Sequence, residues 1–438
     1  MDNQLAYIDQ ASFWAMRAHG HEPVQQLVWI YDHDLNMDRL REVHRNLGYS
    51  LLGRRIERSP LPFGRHRWVS APEQSDLEVT DPLSSSELQS WMDRQGKISV
   101  DPERGPSWRM AAVPFLDGGG AVTLVVSHSV ADVGGILLSL FTALAGARAE
   151  LGYPMPRSRT SREAVREDLR AFRQTMPDIK KALKGAKSIL REDKPAAPRA
   201  VEPTVTGTDG ASAIRPTVFA VVDVDEWDAR AKELGGNSGS LVAGFAVRLG
   251  YNMGQLQPDG SVTLMFPVSD RGDGDARANA LTVMSVTGHP SEVVTNLAPI
   301  RAALKAGLKE VAEKPNGLLT SLPLTQITPK WLVRRLERLV LGDGPVVGCS
   351  NMGDVPDMLM QIDGTQAKYV LARGVEWPIG RAEMDRVGNW LFVGSGRVNG
   401  KLLLFVTYWR VGSSNAREEA VELVKRGLAD YRLSATFV

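Results

Sequence analysis

Residues 121–140, AVTLVVSHSVADVGGILLSL, set a histidine and an aspartate four positions apart, His128 and Asp132. Imidazole can take and return a proton near neutral pH, so His128 is a candidate general base. The spacing allows Asp132 two roles: it can orient the imidazole, or it can cap the helix that follows. A histidine at a strand end is also commonly a boundary residue that only makes hydrogen bonds, and residue type alone does not separate that from catalysis. The neighbouring residues supply the frame a base needs. Residues 121–126 are apolar and rich in β-branched side chains, which predicts a buried strand. A helix-period apolar segment begins at Ile136, and Gly134 and Gly135 permit a close turn from strand to helix.

Composition narrows the class. With 438 residues the chain exceeds one ordinary core, and two domains are expected. It is 43% hydrophobic and 24% charged, in the range of soluble globular proteins. No apolar run approaches the ~18 residues that span a bilayer. The opening MDNQLAYIDQ lacks the basic-then-apolar pattern of a signal peptide, so a reducing, cytoplasmic setting is expected, with no transmembrane segment. The single cysteine, Cys349, excludes an internal disulfide and a multi-cysteine zinc site. A formal net charge of +1 gives no global case for nucleic acid as a partner.

Periodicity and turn residues lay out the elements. Residues 5–18 read as a helix, ended by His19-Gly20-His21-Glu22-Pro23. Two histidines and a glutamate this close look like metal ligands, but no further ligand cluster is visible nearby; the segment reads as a turn, and no metal site is expected. A strand at 26–31 and a helix at 37–47 capped by Asn36 follow. Residues 51–68, with Arg54, Arg55, Arg58, Arg65 and Arg67 among prolines, are expected to be surface strands and turns. A helix is expected at 84–94. Strands 110–115 and 121–126 about the turn 117–120 form a hairpin. Residues 157–199 are rich in Lys and Arg, with helical stretches at 162–174 and 179–190. They read as a solvated helix face, or as a surface for coenzyme phosphates or an acidic carrier protein.

A Pro-, Ala-, Thr- and Gly-rich tract marks a linker at 201–216, dividing an N-terminal domain, 1–200, from a C-terminal domain, 217–438. The second half reads as strand 217–222, helices 225–234 and 240–251, strand 261–268, strand 281–286, helix 290–312, strands 390–393 and 402–409, and helix 416–431. The loop 272–279 is acidic and Gly-rich, yet lacks the spacing and closing glutamate of a calcium loop. Residues 330–340 are basic and amphipathic, suited to packing on the protein or lying on a membrane surface.

Four segments together resemble the chloramphenicol-acetyltransferase-like superfamily of thioester-dependent acyltransferases. That superfamily includes the condensation domains of peptide synthetases and the wax ester synthase/diacylglycerol acyltransferase group. The segments are His128-x-x-x-Asp132 followed by glycine, Gly105-Pro106-Ser107-Trp108-Arg109, Pro267-Val268-Ser269-Asp270-Arg271, and Ser350-Asn351-Met352-Gly353. His128 aligns with the second, catalytic histidine of the family's His-His-x-x-x-Asp-Gly motif. Ser127 replaces the first histidine, and Val133 stands at the motif glycine with Gly134 one place late. The resemblance implies an α/β protein of two similar domains, each a mostly antiparallel mixed sheet flanked by helices, in a V with a central channel and His128 midway along it. It implies that Asp132 and Arg271 are a structural pair across the junction, with Gly134 beside them.

On that resemblance, His128 takes the proton of an acceptor hydroxyl or amine as it attacks a thioester carbonyl, then returns it to the leaving thiolate. No covalent intermediate is required and no bound cofactor is expected. The thioester substrate is acyl-coenzyme A or an acyl carrier protein, and the acceptor is a small molecule. Backbone N–H groups of 133–135 and the side chains of Ser350 and Asn351 are candidate oxyanion donors, with Ser127 and Gly353 as further oxyanion or channel positions. Two other classes stand beside this one: an amide-forming condensation enzyme with carrier-bound substrates, and a non-catalytic binding or scaffolding relative. The lost first histidine and the displaced glycine are the support for the last.

Overall fold

The computed structural model describes residues 3–72, 75–149, 151–191, 212–313, 320–329 and 345–438. The N-terminal half runs through α1 (Tyr7–His19), β1 (Glu22–Tyr31), α2 (Met37–Leu47), β2 (Arg54–Glu57), β3 (Arg67–Ser70), β4 (Glu78–Val79), α3 (Leu88–Lys97), β5 (Trp108–Pro114), β6 (Gly120–Ser127), α4 (Val133–Leu144) and α5 (Ser161–Arg191). The C-terminal half contains β7 (Thr217–Asp223), α6 (Val224–Glu233), α7 (Ser238–Asn252), β8 (Val262–Ser269), β9 (Leu281–Gly288), α8 (Ala298–Glu313), β10 (Val346–Asp354), β11 (Tyr369–Trp377), β12 (Trp390–Val398), β13 (Lys401–Trp409) and β14 (Thr436–Phe437). Helices Arg381–Val387 and Arg417–Ala429 lie between and after these strands.

Two mixed, mostly antiparallel sheets result. The first has the order β11-β1-β6-β5-β4, and only its β4–β5 pair is parallel. The second has the order β14-β7-β13-β12-β10-β8-β9, parallel at β12–β10 and β10–β8. β6 is buried along its whole length. Val122, Leu124 and Val126 join Leu40, Val43 and Ile136 of α2 and α4 in one core. Ala121 and Val125 serve apolar clusters on the other face, which explains the unbroken apolar run. The second sheet packs on α7 and the helix Arg417–Ala429. A shared cluster joins Val28, Ile30 and Leu371 of the first sheet to Phe219, Leu403 and Phe405 of the second.

Several expectations need correction. β11 belongs to the first sheet, in antiparallel register with β1 from Glu22↔Trp377 to Ile30↔Tyr369. The division at 201–216 is thus crossed by one strand, because β1 has an open edge that the C-terminal half fills. Residues 201–211 of that linker and the segment 330–340 lie outside the described residues. Arg54 and Arg67 are buried, not on surface strands. Arg54 lies 4.0 Å over the Trp68 ring and donates to the carbonyls of Val130 and Ala276. α5 is one helix that passes through Pro177; a proline removes only one ladder hydrogen bond, and contacts such as Phe63 on Phe172 and Tyr7 Oη to Asp178 hold the helix on both sides of it. The helix expected at 290–312 begins later, at Ala298.

Close packing between strands gives a direct check. Gly394 of β12 faces Phe405 of β13, and a methyl group at 394 would lie 1.8 Å from the Phe405 ring. Gly394→Ala should therefore cost about 1–3 kcal/mol through overpacking. Urea unfolding would show this as a lower midpoint with little change in slope; an unshifted midpoint would mean that the ring has room to move.

Candidate active site

His128 is the first residue after β6, in the turn that leads to α4. Its main chain is held from both halves. The N–H donates to the Pro23 carbonyl at 2.9 Å, and the carbonyl accepts from Asn279 Nδ2 at 3.3 Å. The side chain is half-buried, and the imidazole makes no hydrogen bond among the described residues.

Asp132 does not orient that imidazole. Its Oδ1 accepts the Gly135 N–H at 2.7 Å, which caps α4, and meets Arg271 Nη2 at 2.7 Å. Oδ2 accepts the Ala280 N–H at 2.8 Å. Arg271 also donates to the carbonyls of Asp275, Arg277 and Ala278. The glycines make room for this pair. A Cβ at 134 would lie 3.4 Å from Arg271 Nε, and one at 135 would lie 3.3 Å from Asp132 Oδ1 and 3.4 Å from Arg271 Nη2. Asp9, wholly buried on α1, completes the junction by accepting the N–H groups of Ala278 and Asn279 at 2.9 and 2.8 Å. Burial pushes the Asp9 carboxyl up, against those two bonds and the nearby Arg54 charge. The acidic loop is occupied by arginine: Arg277 bridges Asp270 and Asp275, and its hydrogen bonds hold Asp275 below the usual carboxylate range.

The remaining candidates have different surroundings. Ser127 is fully buried and its hydroxyl donates to Glu22 Oε1, so it lines no channel and supplies no oxyanion donor. Gly135 N–H is likewise committed to Asp132. Ser350, Asn351 and Gly353 lie on β10 of the second sheet; Asn351 Oδ1 accepts the Gly353 N–H, and no hydrogen bond ties these residues to His128 among the described residues. Cys349 is buried on the same strand, and burial pushes its thiol up, away from the reactive thiolate.

Glu22 and Asp9 are the residues that sequence reasoning missed. Each meets its partner through a pairing distant in sequence. β1 lies beside β6 with Val24 opposite Ser127, which brings Glu22 against Ser127, where the resembled motif has its first histidine. Burial pushes the Glu22 carboxyl up to about 8, opposed by its hydrogen bond from Ser127 and by Arg17.

No protein-family model matches the sequence, and no curated protein matches it. The fold does match known structures. The first condensation domain of the calcium-dependent antibiotic synthetase superposes with a TM-score of 0.57 over 100% of this chain and 99% of that one, at 14% identity. The chain has the condensation-domain fold. Polyketide synthase associated protein 5 from Mycobacterium tuberculosis shares it, with a TM-score of 0.56 at 14% identity over 97% of this chain and 96% of that one. So does the epimerization domain from the third module of tyrocidine synthetase B, with a TM-score of 0.53 at 12% identity over 98% and 96% of the two chains. The condensation-domain fold accounts for the paired sheets; the reaction has to be argued from the site.

Two predictions follow from the junction. Asp132→Ala and Arg271→Ala should each cost about 3–5 kcal/mol, since either leaves a buried charge uncompensated. The double variant should cost less than their sum, and strict additivity in a denaturant double-mutant cycle would deny the coupling. For Glu22, the folded carboxyl holds its proton more tightly than the unfolded one. Its stabilising contribution is full below the ordinary glutamate range and is lost as pH rises through about 8. Glu22→Gln should thus match wild type in melting temperature near pH 4.5 and exceed it by several degrees at pH 8. A gap independent of pH would show that this carboxyl does not titrate abnormally.

Proposed function

We propose that the chain is an acyltransferase that moves an acyl group from a phosphopantetheine thioester to a hydroxyl or amine, with His128 as general base. One observation carries the reading. His128 closes a strand buried on both faces, its main chain is fixed from both halves, and its imidazole is unbonded among the described residues. A base that must collect a substrate proton needs a fixed backbone and an uncommitted ring.

In the reaction so read, the acceptor hydroxyl or amine gives its proton to His128 while its oxygen or nitrogen attacks the thioester carbonyl. The tetrahedral oxyanion then collapses, the C–S bond breaks, and His128 returns the proton to the thiolate. Asp132 and Arg271 fix the turn that carries His128 and take no proton. The N–H groups of Val133 and Gly134 are the remaining oxyanion candidates of the turn. A carrier-bound donor is the preferred source of the thioester. The fold is shared with domains of nonribosomal peptide synthetases, and Lys180, Lys181 and Lys184 stand exposed on α5, where they offer charge to phosphate or to an acidic carrier.

The test is thiol release from acyl-coenzyme A and acyl-carrier thioesters, each offered a panel of alcohols and amines. Wild type should release thiol with at least one acceptor, and folded His128→Ala should lose about 10²–10⁴-fold in rate, the usual contribution of a general base. An undiminished rate in the folded variant would remove His128 from the chemistry, and no release with any pair would favour a scaffolding role.

A further inference from the structure

His19, His21 and Glu383 each present a ligand atom, and the three atoms lie within 4.8 Å of one another. We propose that they form a binding site for a zinc-class divalent cation that clips the start of β1 to the segment after β11. This goes beyond the acyl-transfer reading and does not depend on it.

The fold explains why residues so far apart in sequence converge. α1 ends at His19, and Gly20 follows in the left-handed region at φ +87°, a conformation that favours glycine. That reversal sets the His19 and His21 rings side by side, with centroids 5.5 Å apart and planes tilted by 42°. β1 and β11 are antiparallel with Glu22 opposite Trp377. The residues just before Glu22 must then lie beside those just after Trp377, and the helix Arg381–Val387 brings Glu383 there. The sequence offered Glu22 as the glutamate beside the two histidines, but Glu22 is turned to Ser127, and the carboxylate of the cluster comes from Glu383 through this strand pairing.

The chemistry of the set points to the ion class. Two imidazoles and one carboxylate suit zinc, cobalt or nickel, and three protein ligands leave a position for water. His21 Nε2 is 4.0 Å from Glu383 Oε1, too long for a hydrogen bond. Ligands around a tetrahedral zinc are about 3.3 Å apart, so small side-chain rotations would close the cluster on an ion. His21 Nδ1 is buried and has no hydrogen-bond partner among the described residues, so none of these holds that ring in another role through this atom. All three side chains are partly exposed, which leaves the ion a path of entry.

The experiment uses the full chain without an affinity tag, stripped with chelator and titrated with Zn²⁺ by calorimetry and with Co²⁺ by visible absorption. One equivalent of Zn²⁺ should bind, and Co²⁺ should give the intense bands of a four- or five-coordinate site. His21→Ala and the isosteric Glu383→Gln should each weaken Zn²⁺ binding at least tenfold, while His289→Ala, an exposed histidine elsewhere, should bind like wild type. Saturating Zn²⁺ should raise the melting temperature of wild type more than that of Glu383→Gln. A Co²⁺ spectrum unchanged from the aquo ion, or wild-type affinity in folded Glu383→Gln and His21→Ala, would overturn the site.

Discussion

Two buried carboxylates hold three consecutive peptide groups, and the position of the candidate base depends on that hold. Asp9 accepts the N–H groups of Ala278 and Asn279, and Asp132 accepts that of Ala280. The Asp132 N–H donates back to the Ala278 carbonyl at 2.8 Å. A backbone segment from the C-terminal half is thus fixed by side chains from the N-terminal half, at a seam where an unpaired amide would be costly. Arg271 and Arg54 supply the opposite charge and bind the carbonyls of the same loop. With 278–280 fixed, the Asn279 amide reaches the His128 carbonyl. Asp132 therefore positions the candidate base through the loop and the turn, with no hydrogen bond to its ring.

Much of this was legible in the sequence where the signal is local. Asn36 accepts from the Arg39 N–H and starts α2 where its capping pattern placed it. The β5–β6 hairpin and the glycines in the first turn of α4 were readable for the same reason. The Asp132–Arg271 pair was legible only through resemblance, since its members are 139 residues apart. β11 was missed because Arg373 interrupts its apolar pattern. That arginine is buried, with Asp93 at 2.7 Å and Gln26 Oε1 at 2.8 Å, so its charge is met by partners no local window contains. Arg54 misled in the same way: an arginine among prolines reads as surface, and only the tertiary fold supplies Trp68 and two carbonyls to cover it. The oxyanion and channel positions on β10 were offered only through resemblance, because nothing in Ser-Asn-x-Gly itself encodes distance to another sheet.

Ser127, where the resembled motif has its first histidine, has a definite structural role. The Glu22 carboxyl lies directly against that position and accepts the Ser127 hydroxyl. The serine also accepts the Ser129 N–H at 3.2 Å, so the hydroxyl is used twice inside the protein. The position is part of the support beneath the turn, and its hydroxyl helps hold β1 against β6.

The placement of β11 also sets an order of events during synthesis. β1 is made near the start of the chain, yet its outer partner arrives only with residues 369–377. Until then the nascent first sheet carries an edge of unpaired N–H and C=O groups that other chains can recognise. Completing that sheet closes a loop of more than three hundred residues, a contact of the kind that slows folding. The first sheet is therefore completed late, after β7 to β10 of the second have been made, and the exposed flank of β1 is where a growing chain would need protection from its neighbours.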